Sequence, residues 1–214
     1  NQPISKIALQ NFIHLSYIPA PYSIYEDIYK LEPGHFLKID ADNFINTLSD
    51  KVSYWSIDER MTSCLNDPYL NEQEGLDDLE QKITNAVSDQ LISDVPLGAF
   101  LSGGVDSSLI ASIMQKENMA KVKTFTIGFE ESDYDESLHA KAVADYLGTE
   151  HHELNVSSQD ALNLIPSLPS MYDEPFADSS QIPTYFVCNS AKKHVTVSLS
   201  GEGADELFGG YNRY

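Results

Sequence analysis

Cysteine is scarce. The chain of 214 residues has two, Cys64 and Cys188, far apart in sequence. Two thiols are too few for a disulfide framework or a cysteine metal site, and they fit a reducing compartment such as the cytoplasm. Positive charge is scarce as well. Thirteen Lys and Arg stand against 33 Asp and Glu, for a net charge of −20 at pH 7. A surface this acidic repels phosphate backbones and anionic lipid, so neither a nucleic-acid partner nor a membrane-surface partner is expected. Long apolar runs are missing. The longest, such as residues 95–101, fall far short of a bilayer span. The opening Asn1-Gln2-Pro3-Ile4-Ser5 has neither a basic start nor an apolar stretch, so no signal peptide is expected. A first residue other than Met, and a last residue, Tyr214, directly after a glycine-rich loop, read as a piece of a longer protein.

Apolar side chain is present in quantity. Hydrophobic residues make up 42% of the chain, enough for a sizeable core. Residues 4–13 read as a short helix, and Pro19 and Pro21 forbid its continuation. A Pro33-Gly34 turn leads into a strand over residues 35–40, and residues 51–55 read as another edge strand. Residues 56–73 are polar and read as a linker, with a turn at Asn66-Asp67-Pro68. Leu76, Leu79, Ile83, Val87 and Leu91 then recur every three or four residues, which predicts an amphipathic helix over 75–93.

Beyond that helix the pattern alternates. Strands are expected at 96–101, 122–127, 152–156 and 195–199. Helices are expected at 107–117, 136–147 and 184–193, with a partly helical stretch at 161–172 interrupted by Pro166 and Pro169. Gly148 is a natural stop for the second of these helices. Strands alternating with helices predict an α/β fold with a doubly wound parallel sheet.

Two loops carry chemistry-bearing residues. Leu101-Ser102-Gly103-Gly104-Val105-Asp106-Ser107-Ser108 joins a strand to a helix. Its glycines let backbone N–H groups approach an anion, and the following helix offers the same anion its positive end. Ser102, Ser107 and Ser108 add hydroxyl donors. Asp106 would repel a bare phosphate and makes sense if Mg²⁺ sits between them. The plainer reading is a tight turn with Asp106 or a serine as helix cap. The second loop, from Leu199 through Ser200, Gly201, Glu202, Asp205 and Glu206 to Tyr211, follows another apolar strand. Its adjacent acids are costly unless solvated or metal-bound. With strand order 3-2-1-4, strands one and four are neighbours across the switch point, so both loops face one crevice. Asp106 and Asp205 can then hold one Mg²⁺ from two sides, with Glu202 near the phosphates.

The string from Ser102 to Ser108 resembles the pyrophosphate loop of the PP-loop ATP pyrophosphatases, whose sheet is Rossmann-like. Residues 199–211, and Tyr172-Asp173-Glu174-Pro175-Phe176-Ala177-Asp178, resemble the glutamine-dependent asparagine synthetase branch. Residues 13–38, with Tyr17-Ile18-Pro19-Ala20-Pro21 and Leu31-Glu32-Pro33-Gly34-His35, are similar to the end of that family's amino-terminal glutaminase domain. The resemblance implies three segments: residues 1–56 as the tail of the glutaminase domain, 57–74 as linker, and 75–214 as the first part of the ATP-binding synthetase domain. It implies ATP and Mg²⁺ as cofactors. It implies aspartate, ATP and ammonia or glutamine as small-molecule substrates, and allows a homodimer for the full-length protein. Ser102, Gly103, Gly104, Asp106, Ser107 and Ser108 match the pyrophosphate loop. Leu101 and Ile127 match strand ends that meet the adenine, and Ser200 and Gly201 match residues lining the nucleotide. Asp106 and Asp205 match Mg²⁺ ligands. Glu202 matches the base that deprotonates ammonia, and Tyr in its place would favour a lactam-forming relative. The family's glutaminase uses an amino-terminal cysteine, and neither Cys64 nor Cys188 is one, so glutamine hydrolysis is not expected of these residues. Alternatives are a related amidotransferase acting on another carboxylate, such as a sugar acid, and an inert nucleotide-binding fragment. A tRNA-modifying relative would need a basic surface, which is absent.

Other features invite blander readings. His151 and His152 are adjacent on an expected strand, point to opposite faces and cannot easily share a metal ion. Glu130, Glu131, Asp133, Asp135 and Glu136 fit a solvated loop and the favourable acidic start of a helix, with Tyr134 and Asp135 able to shape a nucleotide pocket. Asp173-Glu174 reads as a polar turn that could face the crevice. Trp55 reads as a packing anchor near the linker.

Overall fold

A computed structural model describes residues 2–39, 51–129 and 135–211. Asp40 and the acidic stretch Glu130 to Tyr134, for which expectations were formed above, lie outside the described residues. The chain forms two compact units. One comprises Asn1–Glu72 with Ser167–Ser179, the other Gln73–Pro166 with Ser180–Tyr214.

The first unit opens with α1, Lys6–Leu15. Ser5 caps it by accepting a hydrogen bond from Ala8 N at 3.3 Å, which satisfies one of the free N–H groups of the first turn. Ala8, Ile18 and Ile24 form a small core with Phe12 packed against it. Strands β1, His35–Leu37, and β2, Lys51–Ser53, pair antiparallel, Phe36 opposite Val52. Residues 167–179 are tied in by side chain and backbone. Glu174 accepts from Ile24 N at 3.2 Å and forms an ion pair with Lys30, and Ala177 N donates to Ser16 O at 2.7 Å. Asp173 and Glu174 do form a bend, and Glu174 also has a structural task within this unit.

The stretch read as a linker contains a helix, α2, Ile57–Asn66. Ser56 accepts from Glu59 N at 3.5 Å, and Asp58 and Glu59 sit in the first turn, where the helix dipole favours acids. None of its residues is buried, which is why a reading based on core-facing periodicity passes over it.

The second unit is the parallel sheet. After α3, Glu72–Gln90, come β3, Leu97–Phe100, and α4, Val105–Glu117. Next are β4, Lys123–Phe129, α5, Ser137–Leu147, and β5, Glu150–Val156. Helix α6, Ser158–Leu164, runs into a 3₁₀ turn, Ile165–Ser167, and the short helix that follows, α7, Leu168–Met171, belongs to the first unit. Helix α8, Gln181–Ala191, strand β6, Val197–Leu199, and α9, Ala204–Phe208, complete the described chain. The sheet order is β5-β4-β3-β6, all parallel, with Ala99 opposite both Thr124 and Leu199. This is the 3-2-1-4 order expected from the alternation.

Helices cover both faces because successive strand residues point oppositely. On one face Leu101 packs with Ala111 of α4 and Ala140 and Ala144 of α5. Ala99 joins Val87 of α3 and Ile113 and Met114 of α4. On the other face Phe100 and Phe125 meet Val187 and Ala191 of α8 and Val195. Helix α8 begins three residues before its expected start, with Pro183 in its first turn. Proline is tolerated there because the N–H it lacks has no acceptor within the helix. Helix α4 likewise begins at Val105, so Asp106 and Ser107 lie in its first turn.

Histidines couple this unit to pH. His151 Nδ1 lies 2.9 Å from Thr124 Oγ1, and its buried Nε2 has no hydrogen-bond partner. Burial, more than any neighbouring charge, holds its pKa below the ordinary 6.5. His194 stacks on His152 with ring centroids 4.0 Å apart, and its pKa is also lowered, by desolvation first and then by His152 and Lys123. A lowered histidine pKa means that the unfolded chain binds protons more readily than the folded one. The stability these groups confer is present above 6.5 and is lost as the pH falls through that value toward the folded pKa. The melting temperature is therefore expected to drop between about pH 7 and pH 5, the range where histidine titrates. His151→Gln should flatten the drop, as differential scanning fluorimetry across that range would show. A profile unchanged by the substitution would remove His151 as its cause.

Candidate active site

The site grows from two strand ends. β3 runs out at Phe100, and Leu101 N donates to Phe125 O at 2.9 Å, so the chain leaves the sheet only after Leu101. Gly103 then turns it with φ +83°. A Cβ at Gly103 would lie 2.6 Å from Ala140 N and 2.7 Å from the His139 backbone, so this loop rests directly on the start of α5. The first-turn N–H groups of α4 have no intrahelical acceptor and point out of the helix end. β6 is the neighbour of β3, and its loop passes closely enough that a Cβ at Gly201 would lie 2.8 Å from Ser107 N and 2.9 Å from Asp106 C.

The two loops thus enclose one cavity of about 220 Å³. The first loop contributes Ser102, Gly104, Asp106 and Ser107, and the second contributes Ser200, Gly201, Glu202 and Asp205. Four expected residues lie off its wall. Leu101 is 1% exposed and belongs to the core. Gly103 backs onto α5. Ser108 has a buried hydroxyl without a partner. Ile127 sits within β4 opposite Leu154. Conversely, Phe100, Gly203, Glu206 and Tyr211 line the cavity without having been nominated. Tyr211 donates its hydroxyl to Glu206 at 2.8 Å.

The second loop also holds structure that the sequence reading missed. It contains the short helix α9, entered through Gly203 at φ +87° and left through Gly209 at φ +67°. Five residues are too few for a periodic apolar pattern to show. The helix carries Asp205 and Glu206 in its first turn, one turn beyond Glu202.

Electrostatically the cavity is one-sided. Asp106, Glu202, Asp205 and Glu206 line it, and among the described residues no lysine or arginine does. Among the described residues no group of three or more His, Cys, Asp or Glu is arranged around a common metal position. Mg²⁺ is commonly held by one or two carboxylates together with substrate phosphates, and Asp106 and Asp205, on opposite loops of one cavity, are a donor set of that kind. Among the described residues no helix is long and apolar enough to cross a membrane.

A doubly wound parallel sheet whose first and fourth strands end in glycine-rich loops around a shared acidic cavity is an open α/β domain with its crevice at the topological switch point. Residues 78–214 match the asparagine synthase family, and the chain belongs to it. A putative glutamine-hydrolysing asparagine synthetase of Methanocaldococcus jannaschii is 40% identical over 209 residues, covering 97% of this chain and 39% of its own. Asparagine synthetase 1 of Bacillus subtilis strain 168, also described as glutamine-hydrolysing, is 39% identical over 211 residues, 99% of this chain and 32% of its own. The chain thus spans about a third of the length of these curated relatives. Among solved structures, an NH₃-dependent NAD synthetase from Campylobacter jejuni is 15% identical and aligns over 64% of this chain and 60% of its own, with a TM-score of 0.45.

Proposed function

We propose that this chain carries the ATP site of a glutamine-dependent asparagine synthetase. That enzyme adenylates the side-chain carboxylate of aspartate and passes the acyl group to ammonia, giving asparagine, AMP and pyrophosphate. The supporting observation is that both glycine-rich loops line one cavity and place Asp106, Glu202 and Asp205 on its wall. The loop from Ser102 through Gly103, Gly104, Asp106 and Ser107 to Ser108 receives the pyrophosphate portion of ATP. Leu101, Ile127, Ser200 and Gly201 border the rest of the nucleotide, Leu101 and Ile127 through backbone. Asp106 and Asp205 would hold Mg²⁺, which when bound offsets the phosphate charge that four bare carboxylates would repel.

Glu202 acts as the base. Ammonia attacking an acyl carbon must lose a proton, and a carboxylate on the cavity wall can accept it. In this reading residues 1–56 end a glutaminase domain, 57–74 connect, and 75–214 begin the synthetase domain. The match of residues 78–214 to the asparagine synthase family supports the last of these segments. A cytoplasmic, homodimeric full-length enzyme belongs to the same reading.

Glu202→Gln separates the two chemical steps. In the full-length enzyme, aspartate-dependent exchange of labelled pyrophosphate into ATP should persist. Asparagine formation from ammonia should fall by about 10²- to 10⁴-fold, the usual worth of a general base. Equal loss of both would place Glu202 in nucleotide binding instead.

A further inference from the structure

Asp205 lies in the first turn of α9 and Gly210 just past its end, and the two touch. The glycines that close this short helix fold the chain back on its start. Gly209, at φ +67°, donates its N–H to Asp205 O, and Gly210 N donates to the same oxygen at 3.0 Å. Two N–H groups on one carbonyl hold the Asp205 backbone. The Asp205 side chain lies against the bare Cα of Gly210. A Cβ at Gly210 would overlap Asp205 Oδ1, and would stand 3.0 Å from Asp205 Cγ and 3.3 Å from its Cα. Asp205 lines the cavity and Gly210 does not, so the glycine stands outside the wall, against the side chain that faces it.

The atom that an added Cβ would strike first is the tip of a short side chain. Rotation of that side chain relieves the overlap, so a methyl group at position 210 turns the carboxylate and spares the backbone. Glu206, the next residue, is oriented in another way, by a hydrogen bond of 2.8 Å from the Tyr211 hydroxyl. We propose that Gly210 is a positioning residue for Asp205: its lack of a side chain leaves the space in which the Asp205 carboxylate takes the orientation that serves Mg²⁺. The proposal rests on the ATP reading above, in which Asp205 holds the ion, and adds the residue that sets the direction of that carboxylate. Residues that orient a metal ligand are commonly worth about 10- to 100-fold in metal affinity.

Two measurements test it on this chain. The first needs no nucleotide. NMR couplings across the Asp205 Cα–Cβ bond report the rotamer of its side chain. One rotamer is expected in the unmodified chain, and a different one or a mixture in Gly210→Ala. The same rotamer in both proteins would overturn the proposal. In the second, calorimetry follows the Mg²⁺ concentration at which ATP binds. Gly210→Ala should raise that midpoint by about 10- to 100-fold, with the circular dichroism spectrum unchanged. In Asp205→Ala the new Cβ at position 210 has no carboxylate to meet, so adding Gly210→Ala should move the midpoint no further. Losses that multiply in the double variant would overturn the proposal, because Gly210 would then act through the backbone. A midpoint in Gly210→Ala equal to that of the unmodified chain would overturn it too. An unmodified chain that binds no Mg-ATP would instead overturn the ATP reading, and the couplings alone would then decide whether Gly210 orients Asp205.

Discussion

Gly201→Ala should weaken Mg-ATP binding by about 10- to 100-fold while leaving the sheet folded. The added Cβ would meet Ser107 N at 2.8 Å and Asp106 C and Cβ at 2.9 Å. Two of these three atoms are backbone at the start of α4, and the third is fixed to it, so none can swing aside as the tip of a flexible side chain would. Relief requires the second loop to move away from the first. Overpacking of this sort costs about 1–3 kcal/mol, and each 1.4 kcal/mol is a factor of ten in affinity. The cost falls on the juxtaposition of loops that forms the cavity. The core clusters around Leu101 and Phe125 do not include Gly201. Titration calorimetry alongside circular dichroism would show the loss with an unchanged spectrum. A Gly201→Ala variant that binds as tightly as the parent would show that the close approach of the loops is irrelevant to the nucleotide.

Asp106→Asn should cost more, at least about 100-fold in Mg-ATP affinity. The substitution preserves shape and removes the charge. Residues that merely support a metal ligand are worth about 10- to 100-fold when removed, so a direct carboxylate ligand is expected to exceed that range. The variant's remaining binding should also lose its dependence on Mg²⁺. Asp89→Asn, at an exposed position on α3 away from the cavity, is the control that separates ligation from a general change in net charge. Equal effects at both positions would argue for long-range repulsion.

The sheet order was legible in the sequence because the alternation of short apolar runs with helical periods leaves few topologies. Its consequence, that the loops after β3 and β6 share a crevice, followed from that order, and Ser102, Asp106, Gly201, Glu202 and Asp205 do line one cavity. Elements without a buried stripe were harder to see. Helix α2 buries nothing and α9 is a single turn, so neither imposes a core-facing period. The Ser56-to-Glu59 cap was nonetheless a usable signal for α2. Start positions slipped where a first turn tolerates residues that disfavour helix interiors, as at Pro183. Helix α4 likewise starts two residues before its expected position, at Val105. Glu206 and Tyr211 were passed over as site residues because their place on the wall depends on α9.

Calorimetric titration of Mg-ATP into the unmodified chain, repeated with EDTA in excess over the metal, tests most directly whether the two loops form one ATP site. One nucleotide per chain, bound only when Mg²⁺ is available, is the predicted result. A folded chain that binds no ATP, or binds it equally well after Mg²⁺ is removed, would contradict it.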